Sequence, residues 1–188
     1  MPKERFKRKR LLVFGFEGKN NKTETNYFSH FKPKSNDYII KMFSCGVTDP
    51  VNMIRSAKTK RKDLDYNSKE DLTFLFIDCD CNKKKREQVE SLQSKQGKDL
   101  YLIKSNPTFE LWFLNHFCET TKEYKNNVEL EEHLSKFIPN YEKNKDYFNL
   151  LIDKIAIAIN NSEKQFRKED YQTFTEVINL INKIICPK

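Results

Sequence analysis

The run Leu72-Thr73-Phe74-Leu75-Phe76-Ile77, closed by Asp78-Cys79-Asp80, constrains this chain more than any other segment. It lacks the alternation of a half-exposed strand, so it predicts a strand buried on both faces, as in a parallel sheet covered by helices. A second run, Leu11-Leu12-Val13-Phe14-Gly15-Phe16, ends in the same way at Glu17-Gly18. In an open α/β sheet ligands bind in the crevice beyond the carboxyl ends of the strands, where acids from separate strands can converge. Converging carboxylates repel one another unless a cation or a shared proton offsets the charge. Mg²⁺ is the usual solution, held by one or two carboxylates while phosphate oxygens and water fill its other positions.

Around these two strands the pattern is strand, helix, strand, helix. A first strand is expected from about Arg10 to Phe16, and Thr23 is a good N-cap for a helix from Glu24 to Phe31. Tyr38 to Phe43 has β-branched and aromatic content, and Asp49-Pro50 opens a helix whose apolar stripe is Val51, Ile54 and Ala57. Lys83 to Ser94 reads as a polar helix and Leu100 to Ile103 as a further strand. Ser105-Asn106-Pro107 predicts the cap of a helix from Pro107 to Phe117, and everything beyond reads as helical, ending in Phe174 to Ile185 with no strand after Ile103. The expectation is an α/β fold with a mainly parallel sheet, flanking helices and a helical C-terminal part. Residues 1–10 form a basic arm, 11–118 the core and 119–188 an extension packed on it.

Lys and Arg outnumber Asp and Glu by 35 to 27, and the formal charge of +8 favours polyanionic partners, nucleic acid first. Five cysteines, at 45, 79, 81, 118 and 186, include no Cys-x-x-Cys pair, which points to reduced thiols rather than a zinc site. Cys79 and Cys81 alternate with Asp78 and Asp80 and are expected on the opposite face of an extended backbone. The N-terminal basic stretch leads into only six apolar residues, too few for a signal peptide, and no stretch is long enough to span a membrane. A cytoplasmic protein is expected.

Asp78 and Asp80, two apart at a strand end, would place both carboxylates on one side of the backbone within reach of one ion. Glu17 would join them from a neighbouring strand, as ligand or as general acid or base, and Gly18 would permit a turn that brings backbone amides toward a phosphate. Lys19 and Lys22 flank Glu17, and Lys83, Lys84, Lys85 and Arg86 follow the Asp pair; these are the candidates for holding a phosphate backbone. Glu110 near a helix start complements the helix dipole or helps organise an ion. Trp112 and His116 fall on one helix face; core packing is the ordinary reading, and a proton carrier is the functional one. His30 and His133 show no partners in the sequence.

Phe16-Glu17-Gly18, Thr23-Glu24-Thr25-Asn26-Tyr27-Phe28, Thr48-Asp49-Pro50, Asp78-Cys79-Asp80 and Ser105-Asn106-Pro107-Thr108-Phe109-Glu110-Leu111-Trp112 with His116-Phe117 follow one another in an order that resembles the RloB family. Tyr141-x-Lys143 and Thr175-x-Val177 with Leu180-Ile181 look like weaker C-terminal features of the same family. The resemblance implies a Toprim-like fold in which Glu17, Asp78 and Asp80 bind Mg²⁺ or Mn²⁺, and it brings Glu24 and Glu110 forward as motif residues. It also implies a prokaryotic protein of abortive infection and phage defence encoded beside an AAA- or ABC-type ATPase. Two functions follow: a metal-dependent nuclease acting on nucleic acid such as tRNA, or a latent or non-catalytic subunit of a defence ATPase. The loop from Gly18 to Thr23 is longer and more basic than the family's short link, and Cys81-Asn82 stands where an Asp-rich continuation is expected.

Overall fold

The computed structural model describes residues 8–19, 23–31, 38–120, 122–166 and 173–184. Lys22 and residues 1–7 of the basic arm lie outside the described residues, as does Cys186. Four parallel strands form most of a single sheet: β1 (Arg10–Phe16), β2 (Tyr38–Ser44), β3 (Leu72–Asp78) and β4 (Leu100–Asn106). A short β5 (Phe174–Thr175) pairs antiparallel with β4, and the sheet order is β2-β1-β3-β4-β5.

Alternate side chains of the sheet feed two separate cores. Leu12, Phe14 and Phe16 of β1, with Phe74 and Phe76 of β3 and Ile103 of β4, enter one core. Leu75, Ile77, Leu100 and Leu102 enter the other, where α2 (Pro50–Lys62) and α3 (Lys83–Gln93) supply Met53, Ile54, Ala57 and Val89. This explains the unbroken apolar run of β3, since both of its faces are covered. Gly15 faces the second core, and a Cβ there would stand 2.5 Å from Leu75 Cδ2 and 2.7 Å from the Phe43 ring, so any larger residue must displace both side chains.

The first core is covered by α1 (Thr23–Ser29), α4 (Glu110–Asn115) and four helices of the C-terminal part, α5 (Asn127–Leu134), α6 (Phe148–Leu151), α7 (Ile155–Phe166) and α8 (Val177–Ile184). Asn115 of α4 donates to Ser162 Oγ and Gln165 Oε1 of α7 at 2.8 and 3.0 Å, and Asn161 donates back to the Asn115 carbonyl. A buried polar network satisfied in this way fixes the relative position of two helices. The C-terminal part therefore shares the core of the sheet and also supplies its last strand.

Three local expectations are corrected. β4 runs on to Asn106, so Ser105 and Asn106 are strand residues; the Ser105 and Thr175 hydroxyls bond at 2.8 Å across β4 and β5. The helix after them starts only at Glu110, with no side-chain cap. The C-terminal segment expected to be wholly helical begins with β5, a strand too short to leave a period in the sequence. By contrast Asp49 caps α2 as expected, its Oδ1 accepting from Asn52 N at 2.9 Å ahead of Pro50.

The end of the basic arm has a structural task. The Arg8 guanidinium grips Asp71 with bonds of 2.8 and 2.7 Å, and Asp71 also accepts from Leu11 N and Asn67 N at 2.7 and 2.8 Å. The histidines without a sequence partner have one in the structure: His30 Nε2 lies 2.6 Å from Asp146, and His133 Nδ1 lies 2.6 Å from the Tyr124 hydroxyl.

His116 is fully buried, its ring edge-on to Trp112, and its Nδ1–H donates to the Trp112 carbonyl at 2.8 Å. Burial pushes its pKa down from 6.5 to about 4, so it is a neutral core residue rather than a proton carrier at neutral pH. The unfolded chain binds a proton at this site that the folded chain refuses, so His116 lowers stability as pH falls from about 6.5 toward 4, on the order of 3 kcal/mol in all. His116→Asn keeps a donor for the Trp112 carbonyl and removes the titration. Urea denaturation at pH 7 and pH 4.5 is expected to show a clearly smaller acid loss in the variant, and equal losses would contradict this assignment.

Candidate active site

The strand order places β2 on one side of β1 and β3 on the other, so the direction of winding reverses between β1 and β3. Such a switch point opens a crevice at the carboxyl ends of the strands. Phe16 is paired with Phe76, so Glu17, just past β1, and Asp78, the last residue of β3, emerge side by side there. Glu17 Oε2 accepts from Asp78 N at 3.0 Å, which ties the two strand ends together.

Asp78 follows the parity of Phe74 and Phe76, toward the core covered by α1 and α4. Its Oδ1 accepts from Phe109 N at 2.9 Å, just ahead of α4. Burial pushes the Asp78 carboxyl well above its ordinary pKa, and the charges of Glu24, Glu110, Glu17 and Asp80 push it further. Glu24 comes from the first turn of α1 and Glu110 from the first turn of α4, and both are buried. The charges of the acids named from the family motifs thus all act on one carboxylate.

Asp80 departs from the expected arrangement. The strand ends at Asp78, and Asp80 and Cys81 take the left-handed conformation, with φ of 53° and 58°. This turn leaves Asp80 exposed, where Asn127 Nδ2 donates to it at 3.1 Å. Cys79 is buried as expected, whereas Cys81 donates its thiol to the Tyr124 carbonyl at 3.0 Å. Gly18 adopts φ +76°, which favours glycine, but its N–H already donates to the Val47 carbonyl at 2.9 Å and so is not free for a phosphate.

Lys85 is the residue whose role changes most. Instead of presenting its charge to solvent, its ammonium sits 3.0 Å from Glu17 Oε1 and 3.1 Å from Asp80 Oδ2. Burial opposes the charge, yet Glu17 and Asp80 outweigh it and raise the Lys85 pKa. Lys85 is thus a built-in cation bridging the two outer acids. Lys83 is exposed with Glu87 at 3.8 Å, Lys84 and Lys19 are exposed, and Arg86 is half-buried.

A second cation reaches the inner acids from the C-terminal part. The Tyr141 hydroxyl donates to Glu110 Oε1 at 3.1 Å, while Lys143 lies 3.9 Å from Glu110 and 2.9 Å from Glu131. The sequence marks Tyr141-x-Lys143 as a family feature, but nothing local shows that it closes over α4. Among the described residues, no three His, Cys, Asp or Glu side chains are drawn together into a ready-made metal cage.

A model of the RloB-like protein family matches residues 12–184, nearly the whole chain. The chain belongs to the RloB-like family. The match spans the strands that carry Glu17 and Asp78 as well as the C-terminal part that supplies β5, Tyr141 and Lys143. No curated protein and no solved structure matches this RloB-like chain. Among its described residues, no helix is long and apolar enough to cross a membrane.

Proposed function

We propose that this RloB-like protein is a Toprim-like, metal-dependent phosphodiesterase that cuts nucleic acid, with Glu17, Asp78 and Asp80 as the metal-binding acids. The observation that carries this reading is the meeting of Glu17 and Asp78 at the β1–β3 switch point, with Glu24, Glu110 and Asp80 adding negative charge around Asp78. Five carboxylates against the partly buried Lys85 and the more exposed Lys143 leave a crevice that stabilises a further cation. The donors are all oxygens, which suits Mg²⁺ or Mn²⁺ better than softer metals.

Glu17, Asp78 and Asp80 would hold a divalent ion there, whose Lewis acidity would polarise a scissile phosphate and stabilise charge on the leaving oxygen. The chain's own residues do the rest. The Phe109 N–H holds the orientation of Asp78, and the Asp78 N–H holds that of Glu17, whose carboxylate is placed to ligate or to accept a proton from an attacking water. Burial raises the Glu17 pKa while Lys85 opposes the rise, which is the pattern of a tuned acid or base. Total tRNA and supercoiled plasmid, each incubated in Mg²⁺, Mn²⁺ or EDTA, test the activity. Cleavage only with metal is expected, and cleavage undiminished by EDTA would contradict it.

Lys85 favours a second reading in which the protein rests latent in abortive infection until an AAA- or ABC-type ATPase engages it. While its ammonium bridges Glu17 and Asp80, half the charge of the two outer acids is already offset. The C-terminal helices also leave Val128, Leu150 and Ile157 exposed, apolar contacts suited to such a partner. Lys85→Met removes two ion pairs worth up to about 1 kcal/mol each and is expected to tighten Mn²⁺ binding about tenfold in calorimetry. Unchanged or weaker binding would show that Lys85 does not compete with the metal.

A further inference from the structure

The exposed face of α2 carries basic side chains that no ion pair among the described residues employs. α2 contains no acid in its 13 residues and carries Arg55, Lys58, Lys60, Arg61 and Lys62. Arg61 is turned inward, paired with Asp99 at 3.0 Å and lying over the Tyr66 ring. Arg55, Lys58 and Lys62 are exposed and, spaced three and four residues apart, form one stripe opposite the buried Met53, Ile54 and Ala57. None of the three makes an ion pair with any described residue; Arg55 only donates to Asn52 Oδ1 at 2.9 Å.

The placement of the stripe matters as much as its charge. α2 joins the carboxyl end of β2 to the amino end of β3, so its first turn lies at the edge of the sheet that carries the acids. The loop before it is stitched to the Glu17 turn, with Gly18 N donating to the Val47 carbonyl and Gly46 N to the Gly18 carbonyl. From there the helix runs about 20 Å along the outside of the sheet, at about 1.5 Å per residue, with a cation on nearly every turn. Exposed Lys19 extends the positive line at the crevice end.

We infer that the Arg55–Lys58–Lys62 stripe is a track for a nucleic-acid phosphate backbone, leading from the acidic crevice along α2. It rests on the nucleic-acid reading above and deepens it by naming the surface that holds the strand. Charge complementarity selects the occupant: regularly spaced, unpaired cations match a polyphosphate chain. Lys83 and Lys85, expected from sequence to do this work, are engaged with Glu87 and with Glu17 and Asp80. The contacts are to phosphate, so they hold a strand without reading its sequence.

The test is equilibrium binding in EDTA, which prevents cleavage, using a 20-nucleotide single-stranded RNA and a duplex DNA as probes over a range of salt. One variant combines Arg55→Gln, Lys58→Gln and Lys62→Gln; a control combines Lys125→Gln, Lys136→Gln and Lys145→Gln, three exposed lysines of the C-terminal part. The track variant is expected to bind at least one probe about tenfold more weakly. The salt dependence of its binding should be shallower by about 2 in log-log slope, three phosphate contacts at about 0.7 each on a single strand. The control, with the same change in net charge, should change affinity less than about threefold. Which probe responds more distinguishes RNA from DNA. Equal losses in the two variants, or none in the track variant, would overturn the track alone. A wild-type protein that binds neither probe would overturn the track and the nucleic-acid reading together. Lys58→Glu, a single reversal at mid-helix, gives the same readout with minimal change to the fold.

Discussion

Asp78→Asn is expected to abolish metal-dependent cleavage, a loss of about 100- to 1,000-fold or more, while leaving the protein folded. Asparagine has the same shape, and its Oδ1 can still accept from Phe109 N, so the turn into α4 keeps its bond. What disappears is the charge at the centre of the acid cluster. That charge is unfavourable for the fold itself: burial and the fields of Glu24, Glu110, Glu17 and Asp80 all act against it. The variant should therefore melt no lower than the wild type in EDTA, and higher if its repulsion from the other acids is fully relieved. An inactive variant that also unfolds would show that Asp78 serves structure. An active variant would remove it from the site.

Asp71→Ala is expected to destabilise the fold by about 3 kcal/mol, the largest single loss among the polar residues away from the site. The Asp71 side chain is fully buried and accepts four bonds, from both arms of the Arg8 guanidinium and from Leu11 N and Asn67 N. Alanine leaves two backbone N–H groups without acceptors, Leu11 at the start of β1 and Asn67 in the loop before β3. Burial by itself would raise the Asp71 pKa, but Arg8 and the two N–H groups outweigh it and lower it. The sign follows: this stabilisation is complete above the unfolded pKa and is lost as pH falls through the lower folded one. Arg8 is about a third exposed and keeps access to solvent, so Arg8→Ala should cost less than Asp71→Ala. Urea denaturation of the two variants compares them directly. A loss at Asp71 no greater than that at Arg8 would mean that the backbone bonds carry no weight.

How legible these features are in the sequence depends on whether their cause is local. The strands ending at Glu17 and Asp78 announce themselves through unbroken apolar runs, and the Asp49-Pro50 start of α2 is a signal contained within four residues. β5 has only two residues and exists because Ser105 and Asn106 find it 70 residues away, so no periodicity could reveal it. The same pairing explains the misplaced start of α4: Ser-Asn-Pro is good helix-start chemistry, but here it is drawn into a strand.

The acids themselves were readable, but their geometry was not. An extended Asp-x-Asp would aim both carboxylates the same way, whereas the left-handed turn at Asp80 and Cys81 divides them between an inner and an outer position. Lys85 sits one turn into α3 and looks like any exposed lysine until β1 brings Glu17 to it. Tyr141 and Lys143 reach Glu110 from a segment 31 and 33 residues further along the chain, a contact that only the packing of the C-terminal part creates.

Calorimetric titration of Mn²⁺ into the wild-type protein and into Asp78→Asn tests most directly whether these acids form a metal centre. Saturable binding by the wild type, lost or weakened at least about tenfold in the variant, is the predicted result. Equal binding by both proteins, or none by the wild type, would contradict it.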